Sequence, residues 1–353
     1  MYSRPVPSRA PITVGLIGYG KAGRVFHAPL IESVEGLRLA KIVQRRGDEA
    51  GREHPQAAVV RDAAELFRDA GIDLVVVATP NDSHFDLARR ALLAGKDVVV
   101  DKPFTVTSAE SESLIELALQ RRRMLTVFHN RRYEGDFLTI RRLFDERALG
   151  RIVYYEARFD RFRNEPRPRA WRESSAAGSG ILYDLGSHLI DQALLLFGRP
   201  ECITADVRRE RDFGESDDAF DMRLDYPRMK VTLTASMLVR EPTPRYTLRG
   251  TAATFVKFGS DPQEAALAAG NTPHDSNWGR EPPDQWGTLI SDSGSVTIET
   301  LPGSYATFYE NVRDAINRKG ALDVRPEDAA MTVRIIEAAA RSSRERRCIA
   351  IHE

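Results

Sequence analysis

Apolar residues in this chain come first in short unbroken runs and then at helical spacing, and the alternation of the two organises its first third. Residues 12–17, Ile-Thr-Val-Gly-Leu-Ile, form an almost continuous apolar run, as expected of a strand covered on both faces. A glycine-rich turn follows. Helical spacing then takes over through Val25, Phe26, Leu30 and Ile31, and the run over 37–43 reads as a second strand, completing a βαβ unit of about 30 residues. The rhythm continues with a helix over 63–69, a strand over 73–78, a helix over 83–94, a strand over 97–101, a helix over 109–122 and a strand over 125–128. Strands alternating with helices predict a parallel, doubly wound sheet. Gly71 and Gly95 stand where helices must end ahead of strands.

After Asn130 the pattern changes. A helix over 137–145 leads through Gly150 into 151–162, where apolar and polar residues alternate as in a half-exposed strand. A loop rich in Arg, Pro, Gly and Ser runs to Gly180, and a helix over 184–197 follows. Further strands are predicted over 219–226, 230–239, 245–249 and 255–258. Consecutive strands without helices between them indicate an antiparallel sheet and a separate α+β unit. The stretch 262–284 lacks a clear period and reads as a long loop with a short helix, and helices over 305–318 and 326–341 close the chain. The expected fold class is therefore α/β. A flexible tail (1–11) precedes a dinucleotide-binding Rossmann domain (12–130) and an α+β domain for substrate and oligomerisation, with a large, mostly antiparallel open sheet (131–353).

The chain's 353 residues exceed what one hydrophobic core usually serves, in keeping with that division. No apolar run reaches the roughly 20 residues of a bilayer crossing, and the first residues lack the apolar segment of a secretory signal. Fifty-one basic and fifty-one acidic residues cancel, so no net field favours nucleic acid or an anionic membrane as partner. Cys202 and Cys348 are the only cysteines and lack metal-ligand spacing; with no signal segment, two reduced, mostly buried thiols in a cytoplasmic protein are expected.

The glycine-rich turn is Gly18-Tyr19-Gly20-Lys21-Ala22-Gly23, a Gly-x-Gly-x-x-Gly between strand and helix. The first glycine permits the tight turn, the second lets backbone approach a pyrophosphate, and the third lets helix pack on strand. Unpaired N–H groups at the helix start suit the diphosphate. The end of the second strand reads Gln44-Arg45-Arg46, with no carboxylate to take the ribose 2'-hydroxyl of NAD and two guanidinium groups able to hold a 2'-phosphate, or else a solvated turn. NADP is thus preferred, with NAD possible. Thr79, Pro80 and Asn81 follow the next strand and should border the cofactor. His84 is a candidate there or a packing residue.

Asp101-Lys102-Pro103 closes a strand at the same sheet edge, and a lysine there can stabilise a developing alkoxide. The rest of the chemistry lies in Asp184-Leu-Gly-Ser-His188-Leu-Ile-Asp191, whose spacing places all three polar residues on one helical face. In the first turn of that helix the dipole would keep His188 neutral, as a general base requires, with Asp184 orienting it. A metal held by these three is disfavoured, because no further His or Cys cluster accompanies them.

These motifs, Ile-Gly-Tyr-Gly-Lys-Ala-Gly, Ala-Thr-Pro-Asn-Asp-Ser-His, Asp-Lys-Pro and Asp-Leu-Gly-Ser-His-Leu-Ile-Asp, together resemble the Gfo/Idh/MocA oxidoreductases over nearly the whole chain. Asp101 departs from that family's usual Glu. The resemblance implies a Rossmann domain followed by an α/β domain whose open sheet builds homodimers or homotetramers. It also implies a catalytic set carried by Lys102, Asp184 and His188, with Asp191 as a further substrate-site aspartate. Longer strings, Val-Phe-His-Ala-Pro-Leu and Phe-His-Asn-Arg-Arg-Tyr among them, are similar to the NADP-dependent scyllo-inositol 2-dehydrogenases. That likeness implies a small cyclic polyol or sugar as substrate, with Arg131, Tyr133, Arg163 and Trp171 facing it and Tyr305 or Tyr309 offering hydroxyl contacts or helix packing. Glucose or other sugar dehydrogenases and keto-sugar reductases are the alternatives within the family, and a silent dinucleotide sensor the alternative outside it. The six arginines of 158–172 are expected mostly to form a solvated rim, with Arg163 the exception.

Overall fold

The computed structural model describes residues 10–165 and 171–351; most of the expected N-terminal tail lies outside them. Strands β1 (Ile12–Ile17), β2 (Leu37–Val43), β3 (Ala58–Val60), β4 (Leu74–Val77), β5 (Asp97–Asp101) and β6 (Leu125–Phe128) pair in parallel in the order β3-β2-β1-β4-β5-β6. All residues of β1, β4 and β6 are buried, which is why these strands read as unbroken apolar runs. The order reverses between β1 and β4, and a ligand crevice opens beyond the carboxyl ends of strands at such a reversal. The helix Glu49–Glu53 and strand β3, absent from the sequence reading, are short and largely solvent-facing, too brief to show a period.

A second sheet contains β7 (Ile152–Arg158), β8 (Cys202–Arg208), β9 (Ala219–Tyr226), β10 (Met229–Ser236), β11 (Tyr246–Gly250), β12 (Ala253–Lys257), β13 (Gly287–Ser291), β14 (Gly294–Ile298) and β15 (Ile349–Ala350). Its order is β14-β13-β12-β11-β7-β10-β9-β8-β15; β7 and β10 run parallel, and the other described pairs are antiparallel. Phe220, Met222 and Leu224 of β9 turn inward while Asp221 and Arg223 face solvent, the alternation of a sheet covered on one face. Helices Ser187–Phe197 and Pro326–Glu345 cover the inner face, burying Leu189, Ile190, Ile335 and Ile336 against it. The β13–β14 hairpin escaped the sequence reading because both strands are largely exposed and lack an apolar stripe.

Two expectations are corrected. Helix Ala306–Ile316 packs Phe308, Tyr309 and Val312 into the core of the first sheet, so the chain returns from the second unit to buttress the first. Cys202 and Cys348 are not separate reduced thiols. They form a disulfide with Cα atoms 6.1 Å apart, because the terminal strand β15 folds back beside β8 at the sheet edge.

Candidate active site

The turn after β1 has the form a dinucleotide requires. Gly18 has φ of +101°, open to glycine, and any Cβ there would strike the Ala78 carbonyl. A Cβ on Gly23 would collide with the Gly18 carbonyl, whereas at Gly20 nothing lies within 4 Å, so the middle of the turn stays open to an approaching phosphate. The turn borders an open groove of about 2040 Å³ that runs past Gln44, Arg45 and Arg46 on one side and Thr79 and Pro80 on the other. Arg45 and Arg46 are exposed along it. Gln44 is turned inward, its side-chain oxygen accepting from the Ala50 N–H at 2.9 Å. Arg61, which the sequence reading missed because it follows the unrecognised β3, joins these arginines in the groove and donates to the Gln44 and Gly47 carbonyls at 2.7 Å each. The glycine turn and the open Gly20 fit a nicotinamide dinucleotide, which Gly18, Gly20 and Lys21 would hold at its diphosphate end.

A cavity of about 670 Å³ adjoins the groove; Lys21, Ala22 and Arg172 line both. Lys102, at the end of β5, donates from Nζ to the Asp184 carboxylate at 2.9 Å and to the Asp184 carbonyl at 2.6 Å. Arg172 Nε stands 3.3 Å from the same carboxylate. Burial raises the Asp184 pKa, but Lys102 and Arg172 outweigh it and hold the carboxyl well below the usual carboxylate range. Burial is also the largest influence on His188, reinforced by the Lys102 and Arg131 cations, and together they drive its pKa far below the ordinary histidine value. Its Nδ1 is buried without a partner.

The neutral imidazole expected from sequence therefore has a different origin. A π-turn over Leu182–Gly186 precedes helix Ser187–Phe197, so His188 is beyond the first turn, and burial among cations replaces the helix dipole as the cause. Asp184 bonds to Lys102 and is not hydrogen-bonded to His188 among the described residues. Asp101 supports the lysine from below: its Oδ1 accepts the Lys102 N–H at 2.8 Å and lies 3.8 Å from His27 Nε2, while His27 Nδ1 meets the Tyr309 hydroxyl at 2.6 Å. Burial opposes ionisation of Asp101, yet His27 and Lys102 pull its pKa to about 2.

Other expected residues are placed elsewhere. Asp191 is buried, grips Arg132 at 2.6 and 2.8 Å, and does not line the cavity, although it shares helix Ser187–Phe197 with His188. Tyr133 is buried with its hydroxyl on Asp323. His84 bridges the Pro103 and Thr79 carbonyls at 2.9 and 3.0 Å as a packing residue, and Asn81 donates to the Gly178 carbonyl at 2.7 Å, tethering the loop before Gly180. Tyr305 and Tyr309 are buried in the core, bonded to Glu134 and His27. Arg131 does line the cavity, paired with Glu134 and with Glu264 at 3.0 Å. Arg163 and Trp171 border an adjoining space of about 560 Å³ instead, where Arg163 pairs with Glu173 at 2.6 Å. Arg161 and Arg172, set aside with the rim arginines in the sequence reading, line the cavity that holds Lys102 and His188, as does Glu264 from the aperiodic stretch; no spacing rule marks them.

The sequence pattern of an oxidoreductase family's NAD-binding Rossmann fold matches residues 12–129, and that of its C-terminal alpha/beta domain matches residues 141–351. The chain is 41% identical over 342 residues to scyllo-inositol 2-dehydrogenase (NADP(+)) IolW of Bacillus subtilis, covering 96% of this chain and 95% of that one. It is 43% identical to the uncharacterised oxidoreductase YdgJ of Escherichia coli, covering 95% and 97%. The solved structure of the Bacillus subtilis oxidoreductase yvaA superposes with a TM-score of 0.94 at 39% identity, covering 98% of this chain and 100% of that one.

Proposed function

This chain belongs to the Gfo/Idh/MocA oxidoreductase family, dehydrogenases that act on CH–OH groups with a nicotinamide dinucleotide, and from that premise we propose that it interconverts a secondary alcohol of a cyclic polyol, scyllo-inositol, with its ketone, 2-keto-myo-inositol, using NADP. The observation that carries this reading is the convergence of Lys102, Asp184 and His188 on one cavity that opens into the dinucleotide groove. IolW supports the polyol. An NAD(+)-linked scyllo-inositol 2-dehydrogenase of Bacillus subtilis is also similar, at 27% identity over 190 residues, so the exposed Arg45 and Arg46, with no carboxylate beside them on β2, carry the choice of NADP.

When bound, the nicotinamide takes up or returns the hydride. Lys102, poised by Asp184, donates a hydrogen bond to the carbinol oxygen and stabilises negative charge as it develops there. His188, held neutral, accepts the hydroxyl proton in oxidation and returns it in reduction. Arg131 positions the polyol. Burial of the Lys102 and His188 side chains keeps bulk water from competing for these contacts. Exposed Ile290 and Val296 on the β13–β14 hairpin support self-association into a homodimer or homotetramer through the second sheet. Among the described residues no helix is long and apolar enough to cross a membrane.

The test is a panel of inositols and aldoses assayed with NAD and NADP in parallel by absorbance of the reduced nicotinamide. Turnover of scyllo-inositol with NADP, and a selective rise in the NADP Kd of about tenfold in R45A/R46A, are expected. Dinucleotide binding without hydride transfer across the panel would instead assign the chain to sensing.

A further inference from the structure

The cavity that holds Lys102 and His188 carries a cation that, among the described residues, no group neutralises at close range. Lys21 and Arg131 share Glu264 at 2.7 and 3.0 Å, and Lys102 and Arg172 share Asp184 at 2.9 and 3.3 Å. Arg161 also lines the cavity, yet among the described residues no carboxylate lies within 4 Å of its guanidinium and its side chain makes no hydrogen bond. It rests over the Phe159 ring at 5.1 Å, a ring whose faces and edges it shares with Arg131 at 4.7 Å and Arg245 at 4.0 Å. Of the three guanidinium groups around this ring, Arg131 is paired with Glu134 and Glu264 and Arg245 lies 3.9 Å from Glu134, so Arg161 is the one without a carboxylate within 4 Å among the described residues. Burial lowers the Arg161 pKa, Arg131 and Arg163 add to that, and the more distant Asp184 and Glu264 oppose it. A partly buried charge without a partner is costly to the apo protein, and an anion arriving from solvent relieves that cost.

Position says which anion. Arg161 borders the catalytic cavity and the adjoining 560 Å³ space, which meet at Arg161, Arg172 and Asp184, but it does not border the dinucleotide groove. Its charge therefore addresses the substrate and not the cofactor's phosphates. A planar fork of N–H donors matches the two oxygens of a carboxylate or the oxygens of a phosphate. Resting on the assignment of Lys102 and His188 as the reacting end, we infer that Arg161 forms an oxyanion subsite at the far end of the substrate, and that polyols or sugars bearing a carboxylate or phosphate form a further substrate class of this enzyme.

Three probes sharing one ring separate the possibilities: D-glucose, D-glucuronate and D-glucose 6-phosphate, each titrated calorimetrically into the NADPH-loaded protein and each assayed with NADP. At least one anionic probe should bind about tenfold or more tighter than glucose. R161M should bring that probe to within about twofold of glucose, and R161K should fall between. Preference for glucuronate alone identifies the carboxylate as the ligand, and preference for the 6-phosphate alone identifies the phosphate. Equal binding of all three, or a preference that survives R161M, overturns the inference; if R161M does not fold, a preference in R161K undiminished from the wild type overturns it. Turnover of scyllo-inositol with neither anion favoured leaves the polyol reading standing and removes the subsite. Arg161-dependent anion binding without turnover of neutral polyols does the reverse.

Discussion

Lys102 Nζ is held by both the carboxylate and the backbone carbonyl of Asp184, a residue 82 positions further along the chain. One follows the carboxyl end of β5 in the parallel sheet and the other belongs to a π-turn of the second unit, so this double contact ties the two units together at the candidate site. The Asp101 side chain caps the Lys102 N–H from beneath, and the lysine is thereby fixed at both its backbone and its ammonium end.

K102M is expected to lower kcat by about a hundredfold or more while the dinucleotide Kd changes little. D184N keeps the hydrogen-bond geometry but removes the charge that Lys102 faces, and its loss should be smaller than that of K102M. Stopped-flow hydride transfer together with fluorescence titration of NADPH checks both. Unchanged hydride transfer in K102M would remove the lysine from the chemistry.

The residues that bear on a dinucleotide were legible because their constraint is local. Gly18 and Gly23 are needed by the turn itself, and a strand before and a helix after mark them. Lys102, Asp184 and His188 were legible as motifs, but their partners were not. The spacing of Asp184, His188 and Asp191 suggests one helical face, but Asp184 lies in the π-turn ahead of the helix, and Asp191 is taken up by the buried Arg132. Arg161 lies at the end of the alternating stretch 151–162, whose period says nothing of a cavity, and Glu264 lies in a stretch without a period; only the tertiary fold brings them together. The terminal strand β15 has two residues, too few to show alternation, and its pairing with β8 is what joins the cysteines.

The disulfide between Cys202 and Cys348 closes a loop across a sequence separation of 146 residues. Constraining so long a loop stabilises the folded chain by about 3–5 kcal/mol in the chain-entropy account. Adding a reductant, or making C202S, should therefore lower the melting temperature by several degrees and should free the terminal strand to exchange its amide hydrogens. No residue of β8 or β15 lines the cavity that holds Lys102 and His188, so kcat at 25 °C should stay within about twofold. Identical melting curves with and without reductant would show that the thiols are not joined in solution.

The pH dependence of oxidation follows from the placement of His188. A general base acts in its unprotonated form, so activity falls as pH drops through its pKa and protonation removes the acceptor. Burial first, then the Lys102 and Arg131 cations, move that pKa down from the ordinary histidine value of about 6.5, and a lowered pKa carries the acidic limb of the profile down with it. Measured between about pH 5 and 8, log(kcat/KM) for polyol oxidation should thus stay flat through the range where an ordinary histidine titrates, and bend only below it. H188N should erase the bend along with about 100-fold or more of the turnover, since the Asp184 and Glu264 carboxylates that also line the cavity are each paired with two cations. An inflection at or above the ordinary histidine value in the wild-type profile, absent from H188N, would mean that burial and the neighbouring cations do not hold the imidazole pKa down in the enzyme before it meets the polyol.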